Sequence, residues 1–225
     1  MKFLPLFTAA IFLLFSCKKE AGTGTSKPPV STLYFPPLGT TQWAPTTPGS
    51  LGWNAGKIPA LYNFLETEQT KAFLVLKDGK IVLEKYFGQN LQGTGPFTQN
   101  SLWYWASAGK TLTGFVVGKA EQEGFLNIDN RSSVYLGNGW TAAPPSKEAL
   151  VTVKHQLTMT TGLDDGTGDA GNTTPAALLY KADAGTRWAY HNAPYTLLQK
   201  VVANATGQSF SRYFDEKLKS KIGMD

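Results

Sequence analysis

At 225 residues, 42% apolar and 12% aromatic, the chain is long enough for one sizeable core, and its composition excludes an intrinsically disordered protein. Its 21 Lys and Arg against 16 Asp and Glu give a formal net charge of +5, but the charges are scattered, with no basic run beyond Lys18-Lys19. That pattern excludes a stripe able to track a phosphate backbone, so nucleic acid is not an expected partner.

The opening residues, MKFLPLFTAAIFLLFSCKKE, set one Lys ahead of an apolar run too short and too abruptly ended to span a bilayer as a permanent helix. Residues 1–16 therefore read as a signal peptide. Its end, Leu14-Phe15-Ser16-Cys17, resembles a bacterial lipobox. That resemblance implies cleavage before Cys17, lipidation of that Cys, export, and a lipid anchor in the cell envelope; a plain signal peptide with an incidental Cys is the other reading. Cys17 is the single cysteine, so no disulfide is expected. Residues 17–59 are crowded with Pro, Gly, Ser and Thr and predict a tether followed by an extended arm. Tyr34, Phe35, Trp43 and Trp53 place the later part of that arm on the domain surface.

Residues 60–225 read as one domain. IPALYNFLETEQ predicts a helix, and AFLVLKDGKIVLEKYFG predicts two strands joined at Asp78-Gly79, a strong hairpin signal. From Ser107, the residues Leu112, Phe115, Val116, Lys119 and Ala120 recur at helical spacing until Gly124. A second helical pattern runs through APYTLLQKVVANATG, with Leu197, Leu198, Val201 and Val202 on one side and Gly207 as the stop. A hairpin followed by helices predicts an α+β or α/β arrangement, although two strands alone make a poor sheet.

The segment YWASAGKTLTG, Tyr104 to Gly114, carries the candidate chemistry. A phosphate loop needs Gly five residues before Gly-Lys-Thr, and position 104 is Tyr. A nucleophile elbow needs a Gly on each side of the Ser; Gly109 fits and Trp105 does not. His155 and His191 are the only histidines, and neither has the setting of a Ser-His-Asp base. The remaining pattern is Ser107-x-x-Lys110. If Ser107 lies in the first turn of its helix, Lys110 is one turn on and on the same face, so its amine can reach the hydroxyl. Taken alone the tetrapeptide favours Ser107 as a helix N-cap, which is what Ser usually does at such a place. Trp103, Tyr104 and Trp105, just ahead of it, are candidates for a pocket wall or for the core.

The Ser107-x-x-Lys110 pattern opens the first of four blocks that occur in order: SAGKTLTGFVVGKAEQEGFLNIDNRSSVYL, VTVKHQLTMTTGLDD, DAGTRWAYHNAPYTLLQKVVANATGQSF and KIGMD. Together they resemble the serine hydrolases related to class C β-lactamases, a group that includes penicillin-binding DD-peptidases and esterases. The resemblance implies a β-lactamase/DD-peptidase-like α+β sandwich, an antiparallel sheet flanked by helices. It makes Ser107 the acylated nucleophile and Lys110 its proton-relay partner. Tyr190-His191-Asn192 matches the family's Tyr-x-Asn element, in which Tyr190 shares the general-base work and protonates the leaving group, while Asn192 binds the substrate carbonyl and holds Lys110. His191 fills the variable position as a packing or rim residue, and His155 is a hydrogen-bonded framework residue in a stretch that buttresses the site. The expected partner is a small-molecule or peptide substrate, an amide or ester, taken up by a monomer without a cofactor; no residue set has metal-ligand spacing.

The family's third motif, His/Lys-x-Gly, follows the LGM block, whereas this sequence ends at IGMD. The resemblance therefore implies a front portion of the family domain, without the C-terminal sheet strands. Two functions stay open: a serine hydrolase acting through an acyl-enzyme on Ser107, or a non-catalytic envelope protein that binds substrate without turning it over.

Overall fold

The computed structural model describes residues 33–40, 42–166 and 171–224. The signal peptide, Cys17 and the first part of the tether lie outside the described residues. Helix α1, Ile58–Thr67, leads into the antiparallel strands β1, Ala72–Lys77, and β2, Lys80–Tyr86. Asp78 and Gly79 both take positive φ, 53° and 80°, the two-residue turn whose twist matches that of the flanking strands. Gly79 is also required by proximity, since a Cβ there would lie 1.8 Å from the carbonyl oxygen of Tyr34. The register slips between Val75 and Leu76, a bulge that sharpens the local twist.

The arm relieves the hairpin of its isolation. Pro45 bridges Ile81 in parallel, the Thr46 N–H donates to the Ile81 carbonyl at 2.8 Å, and the Ile81 N–H donates to Ala44 at 3.0 Å. The Tyr34 N–H reaches the Asp78 carbonyl at the turn, so the arm lies along the domain surface as its aromatic content predicts.

A 3₁₀ turn, Ala106–Ala108, runs directly into helix α2, Gly109–Gln122. Ser107 thus sits in the 3₁₀ turn ahead of the α-helix rather than in its first α-helical turn, and Gly124 ends the segment at φ 79°. The buried face of α2 is Thr113, Val116, Val117 and Ala120. Phe115, placed on the apolar stripe by the sequence, is exposed, because the partner helix packs against the neighbouring face. That partner is α7.

Short helices follow: α3, Ser133–Leu136, α4, Pro145–Glu148, and α5, Val153–Leu157. The pattern through APYTLLQKVVANATG is two helices, α6, Asn192–Thr196, and α7, Leu198–Thr206, with Gly207 in the left-handed cap position. Helix α8, Phe210–Phe214, continues through a π turn, Asp215–Lys219, to the last turn α9, Ser220–Ile222.

One core forms where α2 crosses α7: Val116 and Val117 meet Leu198, Val201 and Val202, all fully buried, with Val153, Tyr195 and Tyr213 closing the edges. Each such aliphatic side chain contributes about 1.5–3 kcal/mol of burial, which anchors the helix that follows Ser107. A second cluster joins Trp140, Val151, Leu163, Leu178 and Ala193 behind α6. Trp103, Tyr104 and Trp105 lie outside both clusters and are exposed. Among the described residues, no helix is long and apolar enough to cross a membrane.

Candidate active site

Ser107 and Tyr190 are 83 residues apart in the chain, and two sets of contacts bring them together. The first is the core under α2. The second is the segment after α5. Helix α5 opens on a reciprocal cap: the Thr152 hydroxyl accepts the His155 N–H at 3.3 Å, and His155 Nδ1 accepts the Thr152 N–H at 3.2 Å. His155 is therefore a framework residue, its imidazole kept on the neutral side by burial. Beyond it, residues 159–164 run beside the strand-like stretch 179–189. The Asp164 N–H donates to Leu179, the Lys181 and Ala182 N–H groups to Gly162, the Gly185 N–H to Thr160, and the Ala189 N–H to Met159. Gly162 makes this approach possible: it sits at φ 75°, and a Cβ there would lie 2.1 Å from the Ala182 carbonyl.

One buried side chain ties this scaffold to α6. Gln156 donates through Nε2 to the Pro194 carbonyl at 2.8 Å, and its Oε1 accepts the Ser132 hydroxyl at 2.8 Å. Pro194 follows Asn192 by two residues, so the amide fixes the end of the chain that presents Tyr190 and Asn192. Asp165 pairs with Arg187, and Lys181 pairs with Asp164 at 2.8 Å, closing the loop from the other side. Those cations hold both carboxyls below the ordinary aspartate range.

The result is a compact polar triangle. Lys110 Nζ donates to Ser107 Oγ at 3.0 Å, and the Tyr190 hydroxyl donates to the same oxygen at 2.6 Å. Lys110 Nζ also stands 5.0 Å from the centre of the Tyr190 ring. The Tyr190 phenol is held below its ordinary value, first because Ser107 can donate to the phenolate and then because of the Lys110 cation nearby. A serine oxygen served at once by an amine and a phenol disposed to ionise is arranged to lose its proton on attack.

The chain reaches Ser107 through a rare conformation. Ala106 has φ 45°, a left-handed value for a residue that carries a Cβ. Such a residue costs roughly 1–2 kcal/mol, and here it immediately precedes the exposed Ser107.

Ser107, Lys110 and Tyr190 meet as described, and Asn192 is the first residue of α6, two positions after Tyr190. The part assigned to Asn192 in holding Lys110 needs correction: its Oδ1 is buried without a hydrogen-bond partner, and the lysine is directed to Ser107 instead. His191 is a packing residue, 5% exposed, with burial favouring its neutral form. Sequence reasoning passed over Tyr195. Its hydroxyl donates to the main-chain carbonyl of Lys110 at 2.9 Å, a contact spanning 85 residues that no local pattern announces. Trp188 and Tyr190 are both exposed, so Tyr190 is not an aromatic packed against its neighbour. Among the described residues, no group of His, Cys, Asp and Glu is placed to hold a metal ion.

Comparison with known proteins places the chain in a family. The family model described as Beta-lactamase matches residues 65–225. An uncharacterized protein of Alkalihalophilus pseudofirmus is 28% identical over 148 residues, covering 65% of this chain and 40% of its own length. A class C β-lactamase solved in complex with cefoxitin superposes with a TM-score of 0.62 at 24% identity, over 75% of this chain and 49% of the other. The octameric penicillin-binding protein homologue from Pyrococcus abyssi gives 0.61 at 24% identity, over 76% of this chain and 44% of the other. The chain thus spans less than half the length of these proteins, and what it shares with the two structures is their fold of helices packed with an antiparallel sheet. With the family model matched over most of its length, the chain belongs to the Beta-lactamase family, within the β-lactamase-like serine hydrolases.

Proposed function

We propose that the protein is a serine hydrolase that cleaves an amide or ester through an acyl-enzyme on Ser107. The observation that carries this reading is the convergence of Lys110 Nζ and Tyr190 Oη on Ser107 Oγ, at 3.0 and 2.6 Å. In the acylation step Oγ bonds to the substrate carbonyl carbon while its proton passes to the Lys110–Tyr190 pair. The tetrahedral oxyanion forms at the N-terminal, positive end of the helix that follows Ser107. The bond to the leaving nitrogen or oxygen then breaks, and the proton held by the pair goes to that atom. Water repeats the sequence in reverse roles and releases the acid. Asn192, two residues after Tyr190 at the start of α6, is the side chain for hydrogen-bonding the substrate carbonyl through its amide N–H.

The substrate class is an amide, β-lactam or ester of small-molecule or peptide size, bound by a monomer. Export and a lipid anchor at Cys17 belong to the same proposal and rest on Leu14–Cys17 of the sequence. The test is the intact mass of the full-length chain after incubation with cefoxitin and, separately, with a fluorophosphonate, beside Ser107→Ala. A covalent adduct lost in Ser107→Ala is the expected result. A folded chain that takes no adduct, or an adduct that persists in Ser107→Ala, refutes the assignment of the nucleophile.

A further inference from the structure

We propose that Tyr195 is a positioning residue of this site: its hydroxyl, bonded to the main-chain carbonyl of Lys110, sets the turn of α2 from which the lysine amine reaches Ser107. The inference rests on the reaction proposed above and adds a residue that the Ser-x-x-Lys and Tyr-x-Asn patterns do not contain.

A lysine side chain has four rotatable torsions, and holding its tip within hydrogen-bond reach of one oxygen costs rotamer entropy unless its surroundings restrict it. Among the described residues, the contacts of the Lys110 amine are few. They are Ser107 Oγ at 3.0 Å, the phenol of Tyr190, whose ring centre is 5.0 Å away, and the Tyr195 ring at 5.7 Å. No carboxylate bonds to it, and Asn192 Oδ1 makes no hydrogen bond. What does grip the residue is the phenol of Tyr195 on its backbone, at 2.9 Å.

The grip couples two elements. Tyr195 belongs to α6, five residues after Tyr190, so one short stretch supplies both the phenol that touches Ser107 and the phenol that holds the helix carrying Lys110. Gly114, one helical turn beyond Lys110, faces the same hydroxyl: a Cβ there would stand 3.4 Å from the Tyr195 oxygen, in van der Waals contact with it. The two phenols are also set apart electrically. Burial pushes the Tyr195 phenol up, which keeps it a donor, whereas Ser107 and Lys110 bring the Tyr190 phenol down. Opposite environments assign a fixed hydrogen bond to one tyrosine and proton transfer to the other.

Tyr195 also packs in the main core, so the test must separate positioning from packing. The purified chain is compared with Tyr195→Phe, which keeps the ring, and with Gly114→Ala, which keeps the phenol and sets a methyl group against it. Two quantities are followed against pH: the rate constant of fluorophosphonate labelling, and the titration of Tyr190 by ¹³Cζ-tyrosine NMR, assigned with Tyr190→Phe. Tyr195→Phe is expected to label about 10-fold more slowly to the same final extent, the size of effect that slight misplacement of a reacting group produces. Its rising pH limb and the Tyr190 titration both move to higher pH, and Gly114→Ala moves them the same way by less. Unchanged rate and titration in Tyr195→Phe overturn the proposal, as does a loss confined to the folded fraction with the rate constant and pH limb intact. Should the wild type take no label, the hydrolase reading fails by itself. The role of Tyr195 then stands if its Phe variant still raises the Tyr190 titration and falls if it does not.

Discussion

Gln156→Met tests whether the buried amide between α5 and α6 holds the site together. Met matches the unbranched length of Gln and removes both hydrogen-bonding functions. Gln156 is 1% exposed and Ser132 fully buried, and the bonds to Ser132 and Pro194 are both 2.8 Å long, so water has no ready access to the groups left behind. A buried polar group deprived of its partner costs about 1–3 kcal/mol, and the variant strands two of them, a hydroxyl and a carbonyl. The sum is about 3 kcal/mol, with the lower end reached if the Ser132 hydroxyl turns to another acceptor. For a domain of this size each kcal/mol lowers the midpoint by roughly 2–4 °C, which places the expected fall at roughly 6–12 °C. The assay is thermal and urea unfolding followed by circular dichroism on wild type, Gln156→Met, Ser132→Ala and the double variant. Adding Ser132→Ala to Gln156→Met removes the stranded hydroxyl and should recover about 1 kcal/mol, so the two substitutions should be non-additive. If Gln156→Met lies within about 0.5 kcal/mol of wild type, or if the cycle is additive, the amide is not the tie described here.

Two further expectations follow from local geometry. Gly162→Ala puts a methyl group 2.1 Å from the Ala182 carbonyl at φ 75°, and should cost about 2–4 kcal/mol while slowing labelling of Ser107, because the loop that presents Tyr190 must shift; equal stability and labelling would show that the loop yields freely. Glu123 is held at about 2, first by its bond to Lys217, then by Tyr213 and Lys119. A carboxylate with its folded pKa depressed stabilises above the unfolded value and loses that contribution as pH falls towards 2. The melting temperature should therefore drop between about pH 4.5 and 2, and Glu123→Gln should flatten that drop. A wild-type curve parallel to that of Glu123→Gln would remove Glu123 from the acid response.

Much of the local structure was legible because it follows from residues adjacent in the chain. Asp78-Gly79 specifies a turn with two positive φ values, which few other dipeptides tolerate. Gly124 and Gly207 mark helix ends for the same steric reason, and both lie where the pattern places them. Ser107 and Lys110 are three residues apart, so the first pair of the site is written in helical periodicity. The arm was legible as a surface element from its aromatic content, although its pairing with Ile81 was not.

The face that α2 buries could not be read from its own pattern. Leu112, Phe115 and Val116 form as good an apolar stripe as Thr113, Val116 and Val117, and only the docking of α7 leaves Phe115 in solvent. Nor does local propensity predict Ala106 at positive φ, a conformation that a residue with a Cβ rarely adopts. The sequence by itself determined the family blocks, the hairpin, the helix ends and the Ser-x-x-Lys pair, all set by short-range sterics and spacing. Tertiary structure alone decided that Tyr190 meets Ser107 across 83 residues and that Tyr195, rather than Asn192, grips Lys110. Those contacts join chain segments whose relative placement is fixed by a shared core and one buried amide, and such placement is a property of the packed whole.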